Sequence, residues 1–473
     1  MIEDPKDTKQ NGSAWYLAVI SIVAALGGFL FGFDTAVVSG TIDPLVAQFS
    51  LTANMEGITV ATALVGCAVG AAGAGLLSDR FGRKATLIAA AALFLVSAIG
   101  SALPPTWSLL LIARFIGGLG VGTASMLSPM YLSEMSPPHQ RGRLVALYQL
   151  AITIGILIAY FSNAMVLQLA NGPFASLAPG IGRWLFVDQF WRAMFLVEAI
   201  PAAAFLLLLL PIPESARWLA GQRRDEQARS VLSRIVGRYE PDGEMQQIHA
   251  ALQQEGASIR ELLKPGLRIA LLIGIALPFF AQASGINAVM YYGPGILSDA
   301  GWKISASLGG QVWIGAVNMI FTFIAIALVD RFGRKPLTYL GTLGLIGSFV
   351  VAGVFYVTGI RGTPFLISLL AFVGCFAFSL GPVPWIIISE IFPSRIRGKA
   401  MAIGTMTVWI TNTVLMFLVP VIRDAFGLAW TFWLFALLVA PCLLLTWLFI
   451  PETKGKTLEE VERAWSAATW RNA

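Results

Sequence analysis

Twelve long apolar runs constrain the fold of this chain more than any other feature. Each is near twenty residues long, which is enough for an α-helix to cross the hydrocarbon core of a bilayer. Only helices or closed barrels satisfy the backbone in lipid, and these runs are too long for barrel strands. Of the 473 residues, 57% are hydrophobic and 12% are charged, about half the charge of a soluble domain. We number the predicted spans 1 to 12, at 15–39, 52–78, 86–104, 107–131, 143–166, 192–212, 266–292, 308–329, 337–359, 363–388, 399–423 and 427–450.

The charged loops predict how the chain lies in the membrane. Basic residues concentrate in the loops after spans 2, 4, 8 and 10, and the opposite loops carry few. The positive-inside rule then places both termini in the cytoplasm. The net charge of +6 follows from these loops and is no sign of nucleic-acid binding. Polar residues 1–14 run straight into span 1, so we expect no cleavable signal. The three cysteines suggest no disulfide framework, and no metal-ligand cluster exists, so we expect no metal and no cofactor.

The chain repeats itself at a period of roughly 250 residues. DRFGRK occurs at 79–84 and at 330–335, SEMSPPHQRG at 133–142 matches SEIFPSRIRG at 389–398, and PES at 213–215 matches PET at 451–453. Each motif follows the second, fourth or sixth span of its half, a parallel repeat typical of transporters. We predict an N-terminal half at 15–212, a linker at 213–265, a C-terminal half at 266–450 and a cytoplasmic tail at 451–473. The linker is predicted to form amphipathic helices that either latch the halves or stay solvated.

Two charged residues stand out within long apolar stretches, Asp34 in predicted span 1 and Arg114 in predicted span 4. A buried charge costs about 2.5–3.5 kcal/mol by insertion scales and usually marks an ion or substrate path. Asp34 lies about 9 Å before the end of span 1 near Gly40, and Arg114 lies roughly 10 Å into span 4 from Trp107, at 1.5 Å per residue. The two charges are therefore at similar depth, and we expect them to neutralise each other if the spans adjoin.

Several motifs together resemble one known family. They are GFDTAVVSG at 32–40, the two DRFGRK copies, RFIGGLGVG at 114–122, PESARWL at 213–219, QASGINAVMYY at 282–292, GPVPW at 381–385 and PETKG at 451–455. In order and spacing they resemble the sugar porter family of the major facilitator superfamily. The resemblance implies an all-α membrane protein with the major-facilitator fold: twelve transmembrane helices in two six-helix halves, joined by a cytoplasmic helical linker.

The resemblance also implies how a proton is coupled. In the family an aspartate at the position of Asp34 marks symporters, and asparagine commonly replaces it in uniporters. Arginine nearby favours the charged carboxylate, whereas burial favours the protonated form, so alternating exposure can load and unload one proton. Asp34 is the predicted proton carrier and Arg114 the residue that tunes it. The alternative is a permanent structural ion pair in a uniporter.

A sugar site is expected near the midplane between the halves. The resemblance assigns sugar binding to Gln149, Gln282, Asn287, Asn318, Trp385 and Asn412. Sugars need hydroxyl-directed hydrogen bonds and an apolar stacking face, which amides and tryptophan supply. The alternative for each amide is an interhelical hydrogen bond. Ala281, Val408 and Ile156 stand where relatives carry amides, so we expect modest affinity or a changed sugar preference, with hexose favoured over xylose.

Breaks in spans 7 and 10 mark the predicted moving parts. Pro278 and Gly285 interrupt span 7, and GPVP at 381–384 interrupts span 10. Tyr291 and Tyr292 are expected to close over the sugar from outside; plain packing kinks are the alternative. Gly118 and Gly122 in span 4 have the spacing of a close helix contact.

A second set of charges predicts a cytoplasmic gate that pairs when the inner side is closed. It consists of Arg83, Glu134, Arg141, Glu214, Arg334, Glu390, Arg397 and Glu452. Breaking these pairs would bias a two-state equilibrium. Topology charges alone explain the basic residues but not the repeated glutamates.

The sequence therefore predicts an alternating-access carrier that moves one sugar, a hexose such as glucose, with one proton into the cytoplasm. Its partners are the sugar, the proton and the lipid bilayer; no nucleic acid is expected, and the carrier is expected to be a monomer. The predicted location is a bacterial inner membrane. A uniporter of the same fold and a non-transporting sugar sensor are the rivals. No nucleophile–base pair or metal set is visible in the sequence, so we predict no catalytic residues and no enzyme.

Overall fold

The computed structural model describes residues 14–137, 140–177, 179–236, 241–253, 259–264, 267–450 and 452. Within them, every regular element is a helix, as the sequence predicts. Twelve helices are long and apolar enough to cross a membrane. Spans 1 to 12 run Trp15–Gly40, Ala53–Phe81, Arg83–Ala102, Trp107–Met135, Ala146–Asn171, Phe190–Leu209, Arg268–Asp299, Ile304–Val329, Arg334–Val357, Thr363–Ile391, Ile396–Phe426 and Leu428–Phe449.

Several helices extend beyond the predicted spans. Span 7 is predicted to end at 292 but continues to Asp299. The helix that contains span 5 covers Arg141–Asn171, and the helix that contains span 11 covers Ser394–Phe426. Hydropathy detects only the apolar part of a helix, whereas backbone hydrogen bonding continues through its polar ends. The threonines Thr52 and Thr106 cap spans 2 and 4 by accepting a backbone N–H three residues later.

Small residues let spans 2 and 4 approach closely. A Cβ on Gly118 would overlap the carbonyl oxygen of Ala63, and a Cβ on Gly122 would overlap that of Cys67. The close contact predicted from the Gly118 and Gly122 spacing is therefore confirmed. In lipid, where helices gain no hydrophobic energy by associating, such close backbone packing is a main source of attraction.

The two ends of the bundle differ. We call the end that carries the linker helices and the loops after spans 2, 4, 8 and 10 the linker face, and the opposite end the distal face. The linker contains helices Ala216–Gly221, Asp225–Val236 and Pro241–Gln253 and a 3-10 turn at Ile259–Leu263. Asp225–Val236 packs against span 1, and the 3-10 turn packs against span 11. Contacts with both halves favour a latch over a solvated linker.

The halves meet through spans 2 and 11 and through spans 5 and 8. A Cβ on Gly57 would overlap the carbonyl oxygen of Phe417, and one on Gly315 would press on Tyr160. These close approaches bring the two halves together in the distal part of the bundle. Elsewhere the spans expose large apolar side chains such as Leu76, Leu207 and Trp447, as a lipid-facing surface requires.

Candidate functional site

Asp34 and Arg114, predicted from depth alone to meet, form a buried ion pair. Arg114 Nη1 donates to Asp34 Oδ1 at 2.6 Å, and Nη2 donates to Oδ2 at 3.2 Å. The Arg114 side chain is 4% exposed and that of Asp34 is 5% exposed. This two-bond arrangement is the strongest a guanidinium makes with a carboxylate, and it fixes both groups in orientation. The Phe195 ring lies 5.5 Å from the guanidinium and shields it further.

A second carboxyl, Glu198 of span 6, shares this site. It is 1% exposed, and its Oε1 has no hydrogen-bond partner within the described residues. It lies within electrostatic range of both Asp34 and Arg114. Two buried carboxyls beside one guanidinium leave an uncompensated negative charge unless one of them is protonated, and such a charge is costly. The trio is therefore suited to hold one proton.

Tyr291 of span 7, a residue of the second half, lies near this trio. It is 4% exposed, lies near the Thr35 side chain and is within electrostatic range of Asp34 and Arg114. Its neighbour Tyr292 instead donates to the Met416 carbonyl at 2.9 Å. Of the two tyrosines predicted to close over a sugar, Tyr291 thus contacts the helix that carries Asp34. A movement of span 7 would therefore change the surroundings of the ion pair.

The span 7 break places two predicted sugar ligands together. Span 7 is divided at Ser284 and Gly285, and Gly285 has φ +84°, which favours glycine. Across the break, Asn287 Nδ2 donates to Gln282 Oε1 at 2.6 Å. The two amides orient each other. The Gln282 amide NH2 group and the Asn287 amide oxygen remain for further hydrogen bonds.

Span 11 carries two buried polar atoms without partners among the described residues. They are Asn412 Oδ1 and Trp409 Nε1, on residues that are each 3% exposed. An unpaired buried group costs about 1–3 kcal/mol, so an acceptor and a donor one turn apart are suited to a polar ligand. The Trp409 ring lies 5.5 Å from Phe31 of the other half, which puts this pair at the boundary between halves.

The other predicted sugar ligands lie on three different spans. Gln149 and Trp385 are half-buried, on spans 5 and 10, and Asn318 is 6% exposed on span 8. Ala281 and Ile156, which replace amides of relatives, are buried apolar side chains. Val408 is half-buried. These three positions therefore present apolar side chains rather than hydrogen-bonding ones.

A tyrosine of the first half binds a backbone carbonyl of span 7. Pro294 has no N–H, so the Met290 carbonyl four residues earlier loses its helical partner. Tyr160 donates to that oxygen at 2.9 Å, and Gln311 Nε2 donates to it at 3.1 Å. The proline thus exposes an acceptor that ties the distal part of span 7 to span 5.

The predicted gate residues of the first half form one network at the linker face. Arg83 donates to Glu134 through Nε at 3.1 Å and Nη2 at 3.2 Å, and to Asp79 through Nη1 at 3.0 Å. Glu214 accepts the backbone N–H groups of Arg83 at 2.9 Å and Lys84 at 3.1 Å. Its carboxylate therefore caps the positive end of span 3. Burial raises the pKa of Glu214, and these backbone N–H donors oppose the rise.

The second half repeats this construction. Arg334 Nη2 donates to Glu390 Oε1 at 2.8 Å. Glu452 accepts the backbone N–H groups of Arg334 and Lys335, each at 3.1 Å, and caps span 9. The sequence repeat is thus a structural repeat as well.

The remaining gate residues are Arg141 and Arg397. Arg397 donates to the carbonyl of Phe392 at 3.3 Å. The Arg141 side chain lies outside the described part of the structure. Each bond given above joins residues of one half, or of one half and the segment directly after it. The gating role of this network therefore stays a prediction.

Sequence reasoning missed three residues that the structure brings forward. Glu198 and Glu56 are carboxylates inside predicted spans, which is the same signal that identified Asp34. Trp409 gave no such signal, because a tryptophan in an apolar span ordinarily packs in the core or lies at the membrane interface.

Comparison with known proteins decides the family. The model of the family described as "Sugar (and other) transporter" matches residues 20–465. The chain belongs to this sugar transporter family. It is 42% identical over 458 residues to the arabinose-proton symporter of Bacillus subtilis, covering 96% of each chain. It is 39% identical over 496 residues to the D-xylose-proton symporter of Escherichia coli K12, covering 98% of each.

A solved structure of the family has the same fold. A major facilitator proton:xylose symporter bound to 6-bromo-6-deoxy-D-glucose matches with a TM-score of 0.79 at 37% identity, covering 96% of this chain and 99% of that one. The predicted major-facilitator fold and sugar porter resemblance are therefore confirmed. This sugar transporter family member is a multi-pass membrane protein and a carrier rather than an enzyme.

Proposed function

We propose that the chain is a proton-coupled monosaccharide symporter that works by alternating access. The observation that carries the proposal is the buried trio of Asp34, Arg114 and Glu198, which balances its charge when it holds one proton. A facilitator needs no such site. The named proton symporters among its relatives support the same function.

The coupling step follows from the contacts of the trio. Protonation of Asp34 weakens its two bonds to Arg114, and the guanidinium then turns toward Glu198. Tyr291 of span 7 lies near Thr35, which is next to Asp34, so this rearrangement also changes the contacts of span 7. Sugar binding between the halves draws span 7 inward, so sugar and proton favour the same closed conformer. The membrane potential adds about 2.3 kcal/mol per charge per 100 mV to accumulation.

We propose a hexose such as glucose as the sugar. Ala281, Val408 and Ile156 remove hydrogen-bonding groups and supply apolar surface instead. Each lost amide hydrogen bond is worth about 0.5–1.5 kcal/mol, so modest affinity is expected. The related symporter structure that holds a glucose derivative supports a six-carbon ligand. Arabinose is the second candidate, favoured by the relative that is 42% identical.

The deciding experiment is radiolabelled sugar uptake into proteoliposomes with and without an inward proton gradient. Glucose and arabinose are compared in the same vesicles. We expect gradient-driven accumulation in wild type. In Asp34→Asn we expect at least tenfold less accumulation, with sugar exchange down its own gradient retained, because the variant cannot carry the proton.

The surface carboxyl of Asp188, more than half exposed beside Arg183, gives the matched control Asp188→Asn, which should accumulate sugar normally. Undiminished accumulation by Asp34→Asn would overturn the proton role. Equilibration that ignores the gradient in wild type would identify a uniporter, and binding without flux would identify a sensor.

We further propose that the carrier lies in a bacterial cell membrane as a monomer, with the linker face and both termini in the cytoplasm. The basic loops support the orientation, and the bacterial origin of the relatives supports the location.

A further inference from the structure

A charged cluster at the distal face joins the two halves. Arg423, on span 11, donates through Nη2 to both carboxylate oxygens of Glu56, on span 2, each at 3.3 Å. The Glu56 side chain is 8% exposed and that of Arg423 is 24% exposed. The pair is therefore largely shielded from water and links residues that belong to different halves.

More carboxyls surround Arg423 than it can neutralise. Asp43, which follows span 1 and belongs to the first half, lies within its electrostatic range. Asp299, at the end of span 7, and Asp424 act on Glu56 and are repelled by it. Arg361 is the other cation of the cluster and donates to the backbone carbonyl of Asp299 at 2.5 Å. Without Arg423, carboxylates of the two halves would face one another with net repulsion.

The backbone around the cluster is packed across the same boundary. Gly57, next to Glu56, lies so close to the Phe417 carbonyl that a Cβ would overlap it. A Cβ on Gly295 would lie 3.3 Å from Arg423 Nη1 and 3.6 Å from Asp43 Oδ1, so both side chains reach span 7. Separating the halves at the distal face must therefore pull Arg423 away from Glu56 and Asp43.

We propose that Arg423 is the distal latch of this carrier, a positioning residue that holds the distal ends of spans 2 and 11 together while the linker face opens. It contacts neither the predicted sugar ligands nor the Asp34 trio. Its effect on the equilibrium between conformers is therefore independent of which sugar is carried and of whether a proton accompanies it.

The test is hydrogen–deuterium exchange on the purified full chain in lipid nanodiscs without sugar. In Arg423→Gln we expect amides at the start of span 2 and the end of span 11 to exchange about five- to tenfold faster, a shift in the usual range for one coupling interaction. Amides at the linker-face ends of spans 4 and 10 should exchange more slowly by a similar factor, because the two faces open alternately. Arg423→Lys keeps the charge but loses the planar guanidinium, so its increase should be smaller than that of Arg423→Gln. The surface control Asp188→Asn should stay within about twofold of wild type.

A second variant tests the repulsion among the carboxyls of the cluster. Asp299→Asn added to Arg423→Gln should recover part of the lost protection, because it removes one of the opposed carboxyls. Glu56→Gln should loosen the distal face less than Arg423→Gln does, and it serves as the test if Arg423→Gln does not fold. Unchanged distal exchange in both variants would overturn the latch. Faster distal exchange without slower exchange at the linker face would also overturn it, because it would mean local fraying.

Discussion

At the scale of single residues, the site is defined by how charges are balanced among buried side chains. Asp34 and Arg114 neutralise each other through two hydrogen bonds, and Glu198 adds a carboxyl that neither of them satisfies. An isolated ion pair would be a stable structural element, whereas under the proposed function the additional carboxyl makes the site responsive to a proton. On that proposal the proton is held by the trio rather than by Asp34 alone.

Glu198→Gln should uncouple transport without abolishing it. The variant leaves an Asp34–Arg114 pair whose charges already balance, so no excess negative charge remains that a proton would neutralise. We expect accumulation in proteoliposomes to fall about tenfold or more while sugar exchange at equal internal and external concentration persists. Glu226→Gln, an exposed carboxyl of the linker, is the control. Normal accumulation by Glu198→Gln would show that the extra carboxyl is structural.

Sequence reasoning found part of this site for a physical reason. The helical rise converts sequence position into depth, so Asp34 and Arg114 were expected at one level, and the structure joins them. The hydrogen bond between Gln282 and Asn287 was beyond such reasoning, because it depends on how span 7 bends at Gly285. Asn412 was expected as a ligand, but only packing shows that its Oδ1 is left unsatisfied.

At the scale of elements, the helix breaks determine where the bundle can move. Pro294 interrupts the hydrogen bonds of span 7, and the Met290 carbonyl is then bound by Tyr160 from the other half. A helix without the break would satisfy that carbonyl internally and would have no such tie to span 5. The proline thus provides a polar contact between halves that opening can break and closing can restore.

Tyr160→Phe tests this tie. It removes one buried hydrogen bond between halves, worth about 0.5–1.5 kcal/mol, so the distal face should open about two- to tenfold more often. Hydrogen–deuterium exchange of the distal part of span 7 measures it. Tyr148→Phe is a close control, since it removes a buried hydroxyl that has no partner within the described residues. Equal exchange in the two variants would refute the tie.

The short turns at the linker face depend on two glycines. Gly82 has φ +98°, and a Cβ there would overlap the Glu214 carboxylate; Gly333 and Glu452 repeat this arrangement. Gly82→Ala should destabilise the protein by about 1–3 kcal/mol and lower the Tm measured by intrinsic fluorescence. Gly75→Ala, where a Cβ would meet open space, should be near neutral. Equal Tm values for the two variants would contradict this account.

Hydropathy predicts that the transmembrane helices exist better than it predicts where they end. The apolar runs identified all twelve helices, because lipid permits few alternatives. They placed the end of span 7 too early, since the segment up to Asp299 is helical without being uniformly apolar. The breaks at Gly285 and, in span 10, between Phe378 and Val383 were predictable because proline and glycine act locally. Pro278, also predicted to interrupt span 7, lies inside the continuous helix Arg268–Ala283, so that prediction was wrong.

At the scale of the whole molecule, two repeated halves and a linker explain the fold. The order of motifs predicted the halves, and the family comparison confirms the fold. How the halves contact each other was not predictable, because residues such as Glu56 and Arg423 lie 367 positions apart in the chain. Such pairing is a property of the assembled bundle and leaves no local pattern.

External acidity should favour closure of the distal face. Burial raises the pKa of Asp43, Arg423 opposes the rise, and Asp299 adds to it. A raised pKa in the closed conformer means tighter proton binding there than in the open, hydrated one. Closure is therefore favoured as pH falls through the raised pKa toward the ordinary value of 3.8, and the gain disappears above the raised pKa.

Hydrogen–deuterium exchange at pH 7 and pH 4, corrected for intrinsic rates, checks this expectation. Wild type should be better protected at the distal face at pH 4. Asp43→Asn should respond less. A pH response of full size in Asp43→Asn would exclude Asp43 as its source.

The networks at the linker face have a consequence for biogenesis. The first half acquires the cap on span 3 only when Glu214 has left the ribosome, directly after span 6 is complete. From that point its Arg83 and Glu134 contacts need nothing from the rest of the chain, so this half can fold while the second is still being synthesised. The second half must wait for Glu452, almost at the end of translation. A nascent chain halted between these two residues would therefore hold one finished half and one unfinished half in the membrane.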